Sequence, residues 1–246
     1  MIMVFIVGLF IGSFLNVCIG RIPEGESVVF PRSHCPGCGR CLTAVELLPV
    51  VSFIMQRGKC RGCGGEVSWR YPVVELLTAV VFVLLFGRFT GVGFYLQAFF
   101  YGVMIVIFFI DLEKQIIPNR LVLVLLVFAL VVQVFWPVQP WGTALIGGLL
   151  GGGVFLGLAL VSRGGMGGGD IKLVTVLGFW FGWVQLLLMM FLAFFVGGLI
   201  GSVLLLTGLK KRKDGIAFGP FLVLASFVVS MWGKPLLDWY FRISGL

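Results

Sequence analysis

Long apolar runs alternate with short polar breaks along this chain, and one polar interval is far longer than the rest. An apolar run of about 20 residues crosses the ~30 Å hydrocarbon core of a bilayer as a helix. Residues 1–20 form the first such run, and others cover Pro72 to Gly87, 93–110, Pro118 to Phe135 and 141–161. Pro118 stands where a helix start tolerates it. Leu173 to Gly182 is too short to cross comfortably alone, whereas Trp183 to Thr207 is long enough. A last run follows Ile216 and ends at about Trp232. No basic stretch precedes the first run, which continues to Gly20, so it is expected to stay as a spanning helix.

Residues 21–70 are a different material, in which Pro, Gly, Cys and charge replace the apolar pattern. Such a segment is too short for a large core and needs another fastening. Two Cys-x-x-Cys pairs, Cys35-Pro-Gly-Cys38 and Cys60-Arg-Gly-Cys63, stand about twenty residues apart, the spacing of a structural zinc site. Each turn aims two thiolates at one point, and two turns make a tetrahedron. Gly37, Gly39, Gly62 and Gly64 suit the tight turns. Disulfides are the competing reading. His34 and Cys41 are spare ligands, and Cys18 in the first run is an apolar filler. Asn16, polar within that run, is expected to bond between helices.

Composition turns this pattern into a class. The chain is 60% hydrophobic and 11% charged, with mean hydropathy +1.13. Soluble domains are about 45–50% apolar and about 25% charged. The expected fold is an all-α polytopic membrane protein of about eight transmembrane helices with a small cytoplasmic zinc-knuckle domain. The net charge of +8 then reports orientation, not nucleic acid. With residues 21–70 cytoplasmic, Arg21, Arg32, Arg40, Arg57, Lys59, Arg61 and Arg70 lie inside. If every run crosses, Lys114, Arg120, Arg163, Lys172 and Lys210 to Lys213 join them, leaving Arg88, Lys234 and Arg242 outside. That parity requires the short run after Asp170 to cross.

Two acids then stand out. Asp170 ends the stretch Arg163-Gly-Gly-Met-Gly-Gly-Gly-Asp170, and Asp111 ends the apolar run before Leu112-Glu-Lys. An ionised acid at the edge of hydrocarbon is costly. Two carboxylates at one membrane depth suggest acid–base activation of water; solvated residues at helix ends are the plainer alternative. Gly167, Gly168 and Gly169 leave room for another backbone beside Asp170. Lys172 either orients a carbonyl or snorkels to the interface. The single histidine, His34, excludes a His-Glu-x-x-His metalloprotease and a Ser–His–Asp triad. No Rossmann or P-loop fingerprint is present, and no internal repeat suggests a transporter. A cation-binding transporter would explain the acids but not the cysteines.

The order of motifs resembles the type IV prepilin leader peptidases over nearly the whole length. It runs through Gly12-Ser-Phe-Leu-Asn-Val, Arg21-Ile-Pro23, the cysteine pairs, Tyr71-Pro-Val-Val-Glu-Leu76, Asp111-Leu-Glu-Lys-Gln-Ile-Ile-Pro118, Gly165-Met-Gly-Gly-Gly-Asp-Ile-Lys172 and Phe218-Gly-Pro-Phe221. The resemblance implies a membrane aspartic peptidase of the bacterial inner membrane, with Asp111 and Asp170 as the catalytic pair. Its implied substrates are prepilins or pseudopilins, cut after Gly on the cytoplasmic side. Many forms with the cysteine domain also N-methylate the new terminus with S-adenosylmethionine; peptidase activity alone, with a purely structural zinc domain, is the alternative. Membrane lipid is the other partner. The implied division is 1–20, a first transmembrane helix; 21–70, a four-cysteine zinc domain; and 71–246, the peptidase domain. Two departures are Asn119 where relatives often carry Asp, and Gly164 where they often carry an acid.

Overall fold

The computed structural model describes residues 1–162, 166–209 and 215–244. Arg163, Gly164, Gly165 and the basic run Lys210 to Lys213 lie outside the described residues. Regular structure among the described residues is helical, apart from two isolated bridges, His34 with Cys41 and Lys59 with Glu66. The chain divides into two compact units, Met1–Val106 and Ile107–Leu246.

In the first unit, α1 (Ile2–Arg21) runs antiparallel to α3 (Arg70–Arg88). Small residues let the backbones meet. A Cβ at Gly8 would lie 2.6 Å from Ala79 Cα, and one at Gly12 would lie 2.6 Å from Glu75 Cα. Close approach of this kind drives helix pairing in lipid, where apolar burial between helices gains little. Asn16 continues the seam, its Nδ2 donating to Tyr71 O at 3.1 Å and to Gly12 O at 3.3 Å. The interhelical role expected of Asn16 is therefore present. Between α1 and α3 lie a 3-10 turn, Ala44–Leu47, and the short α2 (Val51–Met55). The ring of Phe94, early in α4 (Val92–Lys114), meets Phe82 and Phe86 of α3 edge-on at 6.4 and 5.3 Å.

The unit boundary falls inside α4. This helix outruns the apolar stretch that ends at residue 110, so Asp111 sits in its last turn, not beyond it. The second unit holds α5 (Asn119–Phe135), α6 (Trp141–Val161), α7 (Gly168–Leu206) and α8 (Gly219–Ser244). Six helices among the described residues are long and apolar enough to cross a membrane, and α5 is shorter. Large apolar side chains such as Phe10, Leu149, Phe191 and Phe195 are exposed on them, as lipid-facing residues are. The last helix passes its expected end at Trp232 and continues through Pro235 to Ser244. Lys234, Asp238 and Arg242 had ended the hydropathy signal there without ending the helix.

A straight helix of the 39 residues of α7 would be about 58 Å long, roughly twice the hydrocarbon thickness. Gly182, at φ 76° and ψ 167°, breaks it where the short run was expected to end. That conformation is essentially restricted to glycine. Gln139 serves the break, its Nε2 donating to Phe179 O at 2.7 Å and Trp180 O at 3.1 Å. Gln133 Nε2 donates in turn to Gln139 O. Carbonyls freed at membrane depth need such partners. The first stretch of α7 packs on a glycine face of α6, where Gly147 faces the backbone of Gly178 and Gly151 faces Val174.

Gly147→Ala places a Cβ against backbone that cannot move aside, whereas Gly153→Ala meets nothing within 4 Å. The first should destabilise the full chain by about 1–3 kcal/mol and the second by much less. Thermal unfolding in detergent checks this, and equal melting temperatures would contradict the packing.

Candidate functional site

Asp111 is 5% exposed. It faces the carbonyl end of its own helix, where no free N–H remains and the dipole disfavours an anion. Its donor comes from α8: the Gly219 N–H donates to Asp111 Oδ2 at 2.9 Å. A Cβ at Gly219 would lie 2.6 Å from that oxygen, so any side chain there would push away the carboxylate that the N–H serves. Phe218 sets the approach, its ring lying 5.1 Å from Phe194 of α7 and 5.9 Å from Phe155 of α6. Nearby, Gln115 Nε2 donates to Gly215 O at 2.9 Å.

Asp170 enters from the first turn of α7, where the free N–H groups favour an acid. Its N–H donates to Gly167 O at 3.1 Å. Its Oδ1 is buried with no hydrogen-bond partner among the described residues. Asp111 and Asp170, far apart in sequence, belong to the same unit, and Gly169, next to Asp170, packs against Ile117, six residues beyond Asp111.

The three glycines beside Asp170 do three different things. A Cβ at Gly167 would lie 3.1 Å from Asp170 Oδ2, and one at Gly169 would lie 2.8 Å from Ile117 Cβ. Only Gly168 faces open space. Room for a passing backbone is therefore confined to Gly168, while Gly169 lets the 115–118 turn close against α7. Lys172 Nζ donates to Asn119 Oδ1 at 2.8 Å, linking the starts of α7 and α5.

The second constellation lies in the first unit. Two knuckles repeat one backbone pattern. Cys35 N–H donates to Arg40 O and Gly39 N–H to Cys35 O, both at 2.9 Å. Likewise Cys60 N–H donates to Gly65 O at 2.8 Å and Gly64 N–H to Cys60 O at 2.9 Å. Gly39 and Gly64 take matching positive φ values of 71° and 72°. Each loop thus closes itself and projects its cysteines inward. The Sγ atoms of Cys35, Cys38, Cys60 and Cys63 all lie within 4.8 Å of one another, and those of Cys35 and Cys63 are 3.9 Å apart. Four thiolates about 2.3 Å from a central ion stand about 3.8 Å from each other; a disulfide needs about 2.05 Å. The four-cysteine cluster can hold a metal ion, and Cys41 and His34 stand outside it, paired across a bridge.

Backbone N–H groups of Cys63 and Gly62 draw the Cys60 thiol down to about 6. The Gly65 N–H pulls Cys63 down too, but proton sharing with Cys38 and Cys60 outweighs it and holds Cys63 at about 11. A bound cation would relieve that competition for charge. Beside the knuckles, Glu46 is 7% exposed. It accepts the Thr43 N–H and hydroxyl, both at 2.9 Å, and pairs with Arg40. The Thr43 N–H, then the Arg40 guanidinium, hold its carboxyl down at about 2.

Sequence reasoning missed the donor role of Gly219, although Phe218-Gly-Pro-Phe221 was recognised as a motif. A glycine before proline carries no trace of which acid its N–H will meet. It also missed Glu46, whose Thr43-x-x-Glu46 spacing is a capping-box signal.

Comparisons with known proteins agree in direction. Residues 6–89 match the Bacterial Peptidase A24 N-terminal domain, and residues 98–202 match the Type IV leader peptidase family. A Bacillus subtilis protein named prepilin leader peptidase/N-methyltransferase is 35% identical, covering 98% of this chain and 97% of its own. Proteins of that name from Aeromonas salmonicida and Pseudomonas aeruginosa are 35% and 33% identical. They cover 97% and 98% of this chain and 92% and 93% of theirs. No solved structure matches significantly.

Because Glu46 sits below the ordinary 4.5 of a glutamate, its stabilisation is fully present above that pH and is lost as pH falls toward about 2. Glu46→Gln should speed hydrogen exchange across residues 38–47 at pH 7, with the gap from wild type narrowing below pH 4.5. A gap that widens on acidification would contradict this assignment.

Proposed function

The chain belongs to the type IV leader peptidase family, and on that premise we propose that it removes the basic leader from prepilins or pseudopilins. The cut falls after a glycine, at the cytoplasmic face of the bacterial inner membrane. Asp111 and Asp170 are the proposed catalytic pair. What supports this reading is that both acids belong to one unit, one anchored by Gly219 and the other with a buried oxygen unspent.

Two carboxyl groups holding one proton between them offer both halves of peptide hydrolysis. The ionised group takes a proton from water as its oxygen adds to the scissile carbonyl. The protonated group gives its proton to the departing nitrogen as the C–N bond breaks. Gly168 supports the pair by leaving space for substrate, Gly167 and Gly169 by fixing the turn, and Lys172 by holding α5 to α7 through Asn119.

Residues 21–70 are proposed as a cytoplasmic zinc domain between the first helix, 1–20, and the peptidase region, 71–246. Zinc bound by Cys35, Cys38, Cys60 and Cys63 would cross-link the two knuckles and carry no chemistry of its own. Counting the two stretches of α7 separately, with α5, yields the eight crossings that the Lys and Arg distribution favours. The shared name of the relatives supports a second activity, N-methylation of the new N-terminus with S-adenosylmethionine as methyl donor.

Asp111→Asn and Asp170→Asn, made separately, should each slow leader removal about 100-fold or more while the protein still inserts. Normal cleavage by either variant refutes the shared-proton scheme. Metal analysis of purified protein should find about one zinc per chain, lost in a Cys35→Ser/Cys60→Ser variant; wild type devoid of zinc ends the metal assignment.

A further inference from the structure

The first unit contains a cavity of about 480 Å³ that leader cleavage leaves unused. Small-molecule sites run from about 300 to 1,000 Å³. Its wall includes Asn16 of α1 and Glu75 of α3, which are 2% and 6% exposed. Nδ2 of Asn16 is committed to two carbonyls, which fixes the amide so that Oδ1 is the free acceptor. That Oδ1 is buried and has no partner among the described residues. Oε2 of Glu75 accepts the Val50 N–H at 2.7 Å, and Ser13 also bonds the carboxylate. No cation forms an ion pair with Glu75 among the described residues. An orphaned amide oxygen on the same wall as a buried carboxyl without a cation is costly to leave without a donor, and a cationic ligand can supply one to both.

The rest of the wall narrows the ligand further. Arg21, its guanidinium held by Ser27 O and Arg32 O, and Lys59 bring positive charge to the same cavity. Phe53, tilted against Trp69, and Tyr71, beneath Arg70, bring aromatic side chains. Acceptors for an ammonium, cations for a carboxylate and aromatic surface for a planar base together describe an amino acid joined to a nucleoside.

We propose that this cavity is the methyl-donor site, binding the sulfonium S-adenosylmethionine with its α-ammonium on Asn16 Oδ1 and the Glu75 carboxylate. The assignment rests on the methyl transfer proposed above. In that transfer the acceptor amine's lone pair forms the N–C bond as the methyl C–S bond breaks. The electron pair stays on sulfur, giving S-adenosylhomocysteine, and the ammonium formed releases its proton to water. Asn16 and Glu75 act by holding the donor, not by joining the bond changes.

The test uses the full chain in detergent and S-adenosylhomocysteine as probe, followed by calorimetry. Glu75→Gln and Asn16→Leu should each weaken binding about tenfold or more. Leader cleavage by these variants should stay within about twofold of wild type, a split that a general loss of fold cannot produce. A photoreactive azido analogue of S-adenosylmethionine tests the wild type without any variant. Label on peptides carrying Asn16, Phe53 or Tyr71 supports the site, and label confined to residues 107–246 overturns it. Unchanged probe affinity in Glu75→Gln and Asn16→Leu, or no probe binding to wild type, also overturns it. A wild type that cleaves and binds the probe but adds no methyl group sinks the transferase reading while leaving the cavity assignment standing.

Discussion

One hydrogen bond organises the second unit, that from the Gly219 N–H to Asp111. It answers a problem set by the sequence, a buried acid at the wrong end of a helix. The carbonyl terminus of α4 offers Asp111 no donor and an unfavourable field. The opposite kind of terminus, the start of α8, has N–H groups to give. Meeting that need decides much else: residue 219 must lack a side chain, Phe218 must be held by its aromatic neighbours, and the 215–219 segment must lie beside the 111–115 turn. Gln115 and Gly215 add the second tie.

Elsewhere the same constraint, that polar atoms at membrane depth find partners, shapes local structure more than apolar packing does. Gln139 satisfies the carbonyls freed where α7 breaks, and Gln133 in turn donates to the main chain of Gln139. Thr78 and Thr175 turn their hydroxyls back onto carbonyls of their own helices. Asn16 satisfies its amide nitrogen between α1 and α3 and leaves its oxygen over. Glycine plays the complementary part. At Gly8, Gly12, Gly147 and Gly151 it removes bulk so that neighbouring backbones touch.

Much of this was legible in advance, for definable reasons. Spanning helices declare themselves because every residue facing lipid must be apolar, and the bounds of α6 were read correctly from hydropathy alone. The knuckles declare themselves because four convergent thiols need fixed spacing. Helix ends were less legible: α4 and α8 run past their apolar stretches because charged residues at an interface end the pattern and not the helix. Partners distant in sequence were invisible. Nothing in the spelling of Gly219 names Asp111, nothing in Lys172 names Asn119, and the separate duties of Gly167, Gly168 and Gly169 follow only from what surrounds each.

The matching backbone of the two knuckles bears on how this segment assembles. Each loop is closed by its own pair of main-chain bonds around a left-handed glycine, independent of the other. Capture of an ion by this cluster would then require only that two ready-made halves dock, with most of the ordering entropy spent locally beforehand. Arg40 of the first loop already packs on Gly62 of the second, so a stripped site would keep its two claws side by side, ready for reloading, in contrast to small zinc folds that dissolve when stripped.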